Sequence, residues 1–177
     1  EIKRVLICRP NHRLGNLLLL TPLVQEVIET FPNCKIDLFV KGGLAPVIFK
    51  NYQNIDQIIQ LPKKPFKNSI AYIQGWVSLK KHHYDLAINS VRHSSSGKLS
   101  VQFANSTYKL FGADTLDIQF QEKDYQHVAK YSIYELRSYL TRLGFPINNK
   151  PPASLDLKLT PLEIVEGKQA HRKAALL

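Results

Sequence analysis

Apolar residues along the chain fall into two alternating patterns. "RVLICR" (Arg4 to Arg9) is a short apolar, β-branched run, which predicts a buried strand. "NLLLLTPLVQEVIETF" has the length and period of a helix; Pro22 either kinks it or starts its second part, with Thr21 as N-cap. "KIDLFV" predicts a second strand, "GGLAPVIFKN" a glycine turn with a short helix, and "IDQIIQLP" a third strand. "PFKNSIAYIQGWVSLKKHH" predicts a basic amphipathic helix, and "YDLAINS" a fourth strand.

The second half is less regular. "SSSGKLSVQFANSTYKLFG" predicts a polar, flexible loop that becomes a helix ending near Gly112, and "DTLDIQF" is a candidate fifth strand. "HVAKYSIYELRSYLTRLGF" carries a helical stripe of Val128, Tyr131, Tyr134 or Glu135, Leu136, Tyr139, Leu140 and Leu143, with Gly144 as its stop. "NNKPPASLDLKLTP" predicts a linker with a short strand, and Thr160-Pro161 starts a last helix as N-cap and N1. Strands alternating with helices predict an α/β fold: a Rossmann-like, doubly wound, mostly parallel sheet.

Composition narrows the class. The 177 residues are 44% hydrophobic and 21% charged, which suits one globular domain with a full core. Cys8 and Cys34 are the only cysteines, so neither a disulfide framework nor a zinc site is expected, and a reducing compartment fits. Cys8 lies in the first strand, where a small buried thiol is expected. Leu17 to Leu23 is far shorter than the roughly 20 residues that cross a bilayer, and no signal peptide is visible. The chain lacks an initiating Met and stops in a helical pattern, so it is expected to be a fragment trimmed at least at its C-terminus.

The formal net charge is +10, and it is concentrated. Between residues 61 and 100 stand Lys63, Lys64, Lys67, Lys80, Lys81, Arg92 and Lys98, against the single acid Asp85. This fits an anionic partner: nucleic acid, anionic lipid or a phosphorylated sugar. A nucleic-acid partner ranks low, because neither an RNA-binding aromatic signature nor a helix-turn-helix pattern is present.

The candidate chemistry follows the first strand. In doubly wound sheets ligands sit at the carboxyl ends of the strands. "RPNHRLGN" lies there and offers Arg9, His12 and Arg13 as cationic groups, Gly15 for close backbone approach, and Asn16 at the start of a helix. The segment matches neither a dinucleotide fingerprint nor a P-loop. A purely structural role, with Gly15 turning the chain and Asn16 capping the helix, accounts for the spacing equally well. The fourth strand leads into "VRHSSSGK", where Arg92, His93 and Lys98 could meet an anion at the same edge. His82-His83 at a helix end suits the helix dipole better than a metal, and Trp76 suits helix packing.

"VLICRPNHRLGNLLLLTPLVQEVIETFPNCKIDLFV" resembles the N-terminal signature of glycosyltransferase family 9, the ADP-heptose:lipopolysaccharide heptosyltransferases. Arg9, Gly15, Asn16, Pro22, Phe31 and Pro32 carry the match, and Gly42-Gly43, "NIDQIIQLP", "YDLAINS" and "HVAKYSIYELRSYLTRLGF" agree with it. The resemblance implies the N-terminal half of a two-lobed GT-B fold. Residues 1–150 would form the acceptor-side domain, and 151–177 the linker toward a nucleotide-sugar lobe outside this chain. It implies inverting transfer of a heptose or related sugar from a nucleotide sugar such as ADP-heptose, with no resident cofactor. The acceptor would be an anionic glycolipid of the lipopolysaccharide core, at the cytoplasmic face of an inner membrane.

The family places an aspartate after the glycine, and the resemblance implies that it is the general base. Here the position is Asn16. An amide can orient a hydroxyl but has no useful basicity. Three readings stay open: a diminished or non-catalytic member that binds glycolipid or carbohydrate; a base supplied by another group, His12 or His93; or an introduced or natural change in an otherwise intact site.

Overall fold

The computed structural model describes residues 1–112, 127 and 129–174. In chain order the elements are β1 (Arg4–Arg9), α1 (Leu14–Leu18), α2 (Thr21–Thr30), β2 (Lys35–Lys41), α3 (Ala45–Ile48) and β3 (Ile55–Leu61). A 3₁₀ turn (Pro65–Lys67) precedes α4 (Ser69–Ser78), β4 (Tyr84–Asn89), α5 (Ser95–Phe103) and β5 (Ser106–Leu110). Two helices follow, α6 (Tyr131–Arg142) and α7 (Pro161–Ala174).

The five strands form one parallel sheet in the order β3-β2-β1-β4-β5. β1 is central, and Val5, Leu6, Ile7 and Cys8 are fully buried. Alternate residues feed two cores, as strand geometry requires. Val5 and Ile7 pack with Leu17, Val24, Ile48, Ile133 and Leu136, from α1, α2, α3 and α6. Leu6 and Cys8 pack with Leu79 and Val101 on the opposite face, beside α4 and α5. The sheet is therefore doubly wound, with its order reversing between β1 and β4.

Two buried carboxylates anchor ion pairs, one at the amino edge of the sheet and one between α2 and α6. Arg4 forks onto Asp37 at 2.9 and 2.8 Å and reaches Asp56 at 2.6 Å, while the Tyr84 hydroxyl donates to Asp37 at 3.0 Å. Arg137 of α6 grips Glu26 of α2 through two bonds of 2.7 Å.

Several expectations need correction. The leucine-rich helix is divided: α1 ends at Leu18 and α2 begins at Thr21. Pro22, which lacks an N–H, sits in the first turn of α2, and Thr21 is inside the helix, its hydroxyl donating to Leu18 O, with Leu20 at the cap. The serine tract is helical from Ser95, because the Ser94 side chain accepts the Gly97 N–H at 3.0 Å. That helix does not run on to Gly112. It ends at Phe103, and Ser106–Leu110 is the fifth strand, paired to β4. "DTLDIQF" lies outside the described residues. No strand forms in 148–160 among the described residues; this segment docks on the body, with the Tyr52 hydroxyl on Asp156 O at 2.7 Å and Asp156 N on the Thr21 hydroxyl at 3.2 Å. Thr160 and Glu163 form a reciprocal capping box at the start of α7, as the cap pair predicts.

Candidate functional site

The reversal of strand order brings two loops together at the carboxyl edge of the sheet. One leaves β1 (residues 10–13), and the other leaves β4 (residues 90–94). The expected residues Arg9, His12, Arg13, Gly15 and Asn16 lie on the first loop and α1. Arg92, His93 and Lys98 lie on the second loop and the first turn of α5. Cys8 pairs with Asn89, and the Ser90 hydroxyl and N–H both donate to Cys8 O, so the two loops start side by side.

Arg9 is the anchor. It is 5% exposed, at the last position of the central strand. Among the described residues its guanidinium reaches Ser90 O at a long 3.5 Å and stands beside the Tyr131 phenol, and its buried Nε has no partner. Burial pulls its pKa below the ordinary value, and the Tyr131 phenol partly offsets this. No carboxylate pairs with it among the described residues. A buried arginine without a counter-ion leaves positive charge directed at whatever enters the crevice.

Around Arg9 stands a polar frame of two residues that the sequence pattern placed only in the stripe of the helix. Tyr131, the first residue of α6, donates its hydroxyl to Ser90 O at 2.7 Å. Burial raises the Tyr131 phenol pKa. One turn on, Glu135 is 1% exposed and lies 4.0 Å from the Arg92 Nε. The available signal was a glutamate within the apolar stripe of this helix, one turn from a tyrosine. Glycines let the loops close up: a Cβ on Gly97 would lie 2.1 Å from Asn89 Oδ1. Asn89 in turn donates to Val91 O and Phe111 O, both at 2.9 Å, fixing the start of the β4 loop.

Gly15 and Asn16 sit differently from expectation. Gly15 is not in a turn but is the second residue of α1, without a positive φ, and a Cβ there would meet nothing within 4 Å. The fold itself therefore gives no reason for a glycine at this position. Arg13, not Asn16, is the N-cap residue of α1, and it caps without a side-chain bond. Asn16 is half-buried, with no side-chain hydrogen bond among the described residues, so its amide is available.

The cationic residues are spread along this edge. His12 is exposed and lies against the β2 turn, where a Cβ on Gly42 would be 3.3 Å from His12 Cβ and 3.0 Å from Lys63 Cε. Lys63, counted before only as part of the basic window, thus joins His12 at the crevice. Arg13 and His93 are exposed, while Arg92 and Lys98 are half-buried. Neither imidazole is oriented by a hydrogen bond among the described residues. No three His, Cys, Asp or Glu side chains converge as a metal site among the described residues. Trp76 packs edge-on against Phe39 and Phe103, with ring centres 5.3 and 5.9 Å away, as expected of a helix-packing residue.

No family model matches the chain, and no curated protein matches it by sequence. Solved structures do. The glycosyl transferase family 9 from Veillonella parvula DSM 2008 is similar at 18% identity, with a TM-score of 0.66 over 99% of this chain and 51% of that one. E. coli heptosyltransferase WaaC with ADP is similar at 16% identity, TM-score 0.60, over 84% of this chain and 50% of that one. The same enzyme with ADP-2-deoxy-2-fluoro heptose is similar at 17% identity, TM-score 0.53, over 88% and 52%. The chain spans about half the length of the structures it matches. These likenesses establish the fold: the chain has the parallel α/β architecture of one half of these glycosyltransferases.

Proposed function

We propose that this chain is the acceptor-side lobe of a two-lobed GT-B glycosyltransferase of family 9, a sugar transferase of the heptosyltransferase type. The observation that carries this reading is Arg9, a buried arginine at the reversal point of the sheet with no carboxylate partner among the described residues, on the strand that leads into the Gly15–Asn16 turn of helix. A charge held this way suits an anionic acceptor. The likeness to family 9 structures supports the transferase class.

In this reading a nucleotide sugar such as ADP-heptose enters as substrate from a lobe outside the chain. The acceptor is an anionic glycolipid of the lipopolysaccharide core, used at the cytoplasmic side of a membrane. The acceptor hydroxyl attacks the anomeric carbon, the bond to the diphosphate breaks, and ADP leaves with the electron pair. Arg9, Arg13, Arg92 and Lys98 neutralise the acceptor's acidic groups, with His93 beside them as a hydrogen-bonding group. Gly15 leaves room for it, and Asn16 orients the attacking hydroxyl. The proton needs a base, which an amide cannot provide, and His12 or His93 is the candidate.

Asn16 also favours a second reading, a diminished or non-catalytic member that binds glycolipid or carbohydrate. ADP release by the full-length protein, given ADP-heptose and a deacylated lipid A–inner-core acceptor, separates the two. Wild-type turnover supports the enzyme, with His12→Ala and His93→Ala then locating the base. Turnover only in Asn16→Asp, gained by about 10²–10⁴-fold, supports the binder. No turnover in either, with both proteins folded, contradicts the transferase reading.

A further inference from the structure

Helix α4 has two faces, and among the described residues only one is covered by protein. Gly75 and the half-buried Tyr72 and Trp76 turn toward the sheet. On the other side Ile70 is 71% exposed, Ile73 61% and Val77 53%. These three fall at i, i+3 and i+7, a single stripe along the helix. Just before the helix, the 3₁₀ turn carries Phe66, whose side chain stands fully in solvent. One or two exposed apolar residues on a surface are ordinary, but an aligned stripe headed by an exposed phenylalanine calls for a partner.

The charge around this stripe identifies the partner. Residues 62 to 84 contain Lys63, Lys64, Lys67, Lys80 and Lys81 and no aspartate or glutamate. All five lysines are exposed. Three stand beside Phe66 and two at the far end of α4, so the apolar stripe has cations at both ends. None of the five is in an ion pair among the described residues. Lys80 lies over the Phe103 ring at 4.7 Å, its stem held along apolar surface.

We propose that the outer face of α4, with the Phe66 turn, docks on an anionic lipid bilayer surface. Phe66, Ile70, Ile73 and Val77 enter the boundary between headgroups and acyl chains, and the lysines meet the lipid phosphates around them. Nucleic acid would use the lysines and find one ring, Phe66, to stack on, but the rest of the stripe, Ile70, Ile73 and Val77, is aliphatic and gives bases no stacking platform. A protein partner of matching charge would leave the fully exposed Phe66 in need of a formed pocket. A fluid interface takes it as it stands. Among the described residues no helix is long and apolar enough to cross a membrane, so attachment through this face is interfacial.

The topology relates this surface to the crevice. α4 connects the carboxyl end of β3 to the amino end of β4, so its first turn and Phe66 lie at the carboxyl edge of the sheet. Lys63 belongs to both regions, since it lies over Gly42 beside His12. A chain resting on lipid through Phe66 and the first turn of α4 holds its crevice next to the bilayer. The surface stands on its own observations and does not depend on the transferase reading.

The test is sedimentation of the full-length protein with vesicles of phosphatidylcholine alone, or with about 30% phosphatidylglycerol, whose negative surface potential attracts lysines. Wild type should pellet with the anionic vesicles, pellet far less with the neutral ones, and be released by added salt. Phe66→Ser with Ile73→Ser should weaken binding by more than about tenfold at low salt, since the buried apolar area is lost. Lys64→Gln and Lys67→Gln should each weaken it by about fivefold. Circular dichroism should match wild type, because every altered side chain is solvent-exposed. No pelleting with anionic vesicles overturns the proposal. So does pelleting that Phe66→Ser with Ile73→Ser leaves unchanged. A change of oligomeric state caused by the same double substitution, read by analytical ultracentrifugation without vesicles, also overturns it, because the face would then be closed by a second copy.

Discussion

Arg4 and Arg9 mark the two ends of strand β1, and their surroundings are opposite. Arg4 forks onto Asp37, reaches Asp56 and shares Asp37 with the Tyr84 hydroxyl, and these carboxylates raise its pKa despite partial burial. Arg9 is more deeply buried, has no carboxylate among the described residues, keeps an unpartnered Nε, and its pKa is pulled down by burial. The same residue type on one strand is thus satisfied at the amino edge and unsatisfied at the carboxyl edge. Folded chains tolerate an unsatisfied buried charge where a ligand completes it. The amino edge is closed by ion pairs, and in the proposed function the positive charge at the carboxyl edge is what the anionic acceptor meets.

Substitutions at the two edges should separate these roles, all read by urea unfolding of the same protein. Asp37→Ala takes two of the three bonds from Arg4, leaving it Asp56 alone, and strands the Tyr84 hydroxyl; it should cost about 3–5 kcal/mol, the largest effect. A loss below about 1 kcal/mol would mean that the amino edge is not what holds the sheet. Gly97→Ala puts a Cβ 2.1 Å from Asn89 Oδ1 and should cost roughly 1–3 kcal/mol as the β4 loop is forced away. Gly15→Ala should act in the other direction. Its Cβ meets nothing within 4 Å inside a helix, so stability should rise by roughly 0.5–1 kcal/mol while acceptor affinity falls. A stability loss there would give Gly15 a structural purpose and remove it from the site. The smallest effect concerns the thiols. Burial pushes Cys8 up to about 12 and Cys34 up to about 11, so neither forms thiolate at pH 8. Iodoacetamide should label neither in the native protein and both in urea.

The regular half of this architecture was legible in the sequence. β1, β2, β3 and β4 are continuous apolar or half-apolar runs bounded by turn residues, and they lie where the pattern predicts. β5 was hidden because it is an edge strand. Only Leu110 of its five residues is fully buried, so Phe103, Ala104, Tyr108 and Leu110 imitate a helical spacing. The start of α5 was hidden because serines read as loop, although Ser94 is the cap that begins the helix. The candidate residues of the β1 and β4 loops could be read, since topology alone brings those two loops to one edge. Tyr131 and Glu135 could not, because their role depends on where α6 docks, which no local spacing encodes. The exposed stripe of α4 was equally illegible: Ile70, Ile73 and Val77 have the period of a core face, and only the docked helix reveals that the other side is the buried one.

The most direct measurement is acceptor affinity and stability together for Arg9→Met in the full-length protein. Calorimetric titration would use the deacylated lipid A–inner-core acceptor, and unfolding would be followed on the same sample. Methionine fills the space without a charge, so stability should stay within about 1 kcal/mol of wild type or rise. Acceptor affinity should fall by about tenfold or more, as a charged hydrogen-bonding partner is lost. Unchanged affinity, or a stability loss above about 2 kcal/mol, would contradict the account, because Arg9 would then serve the fold rather than the ligand.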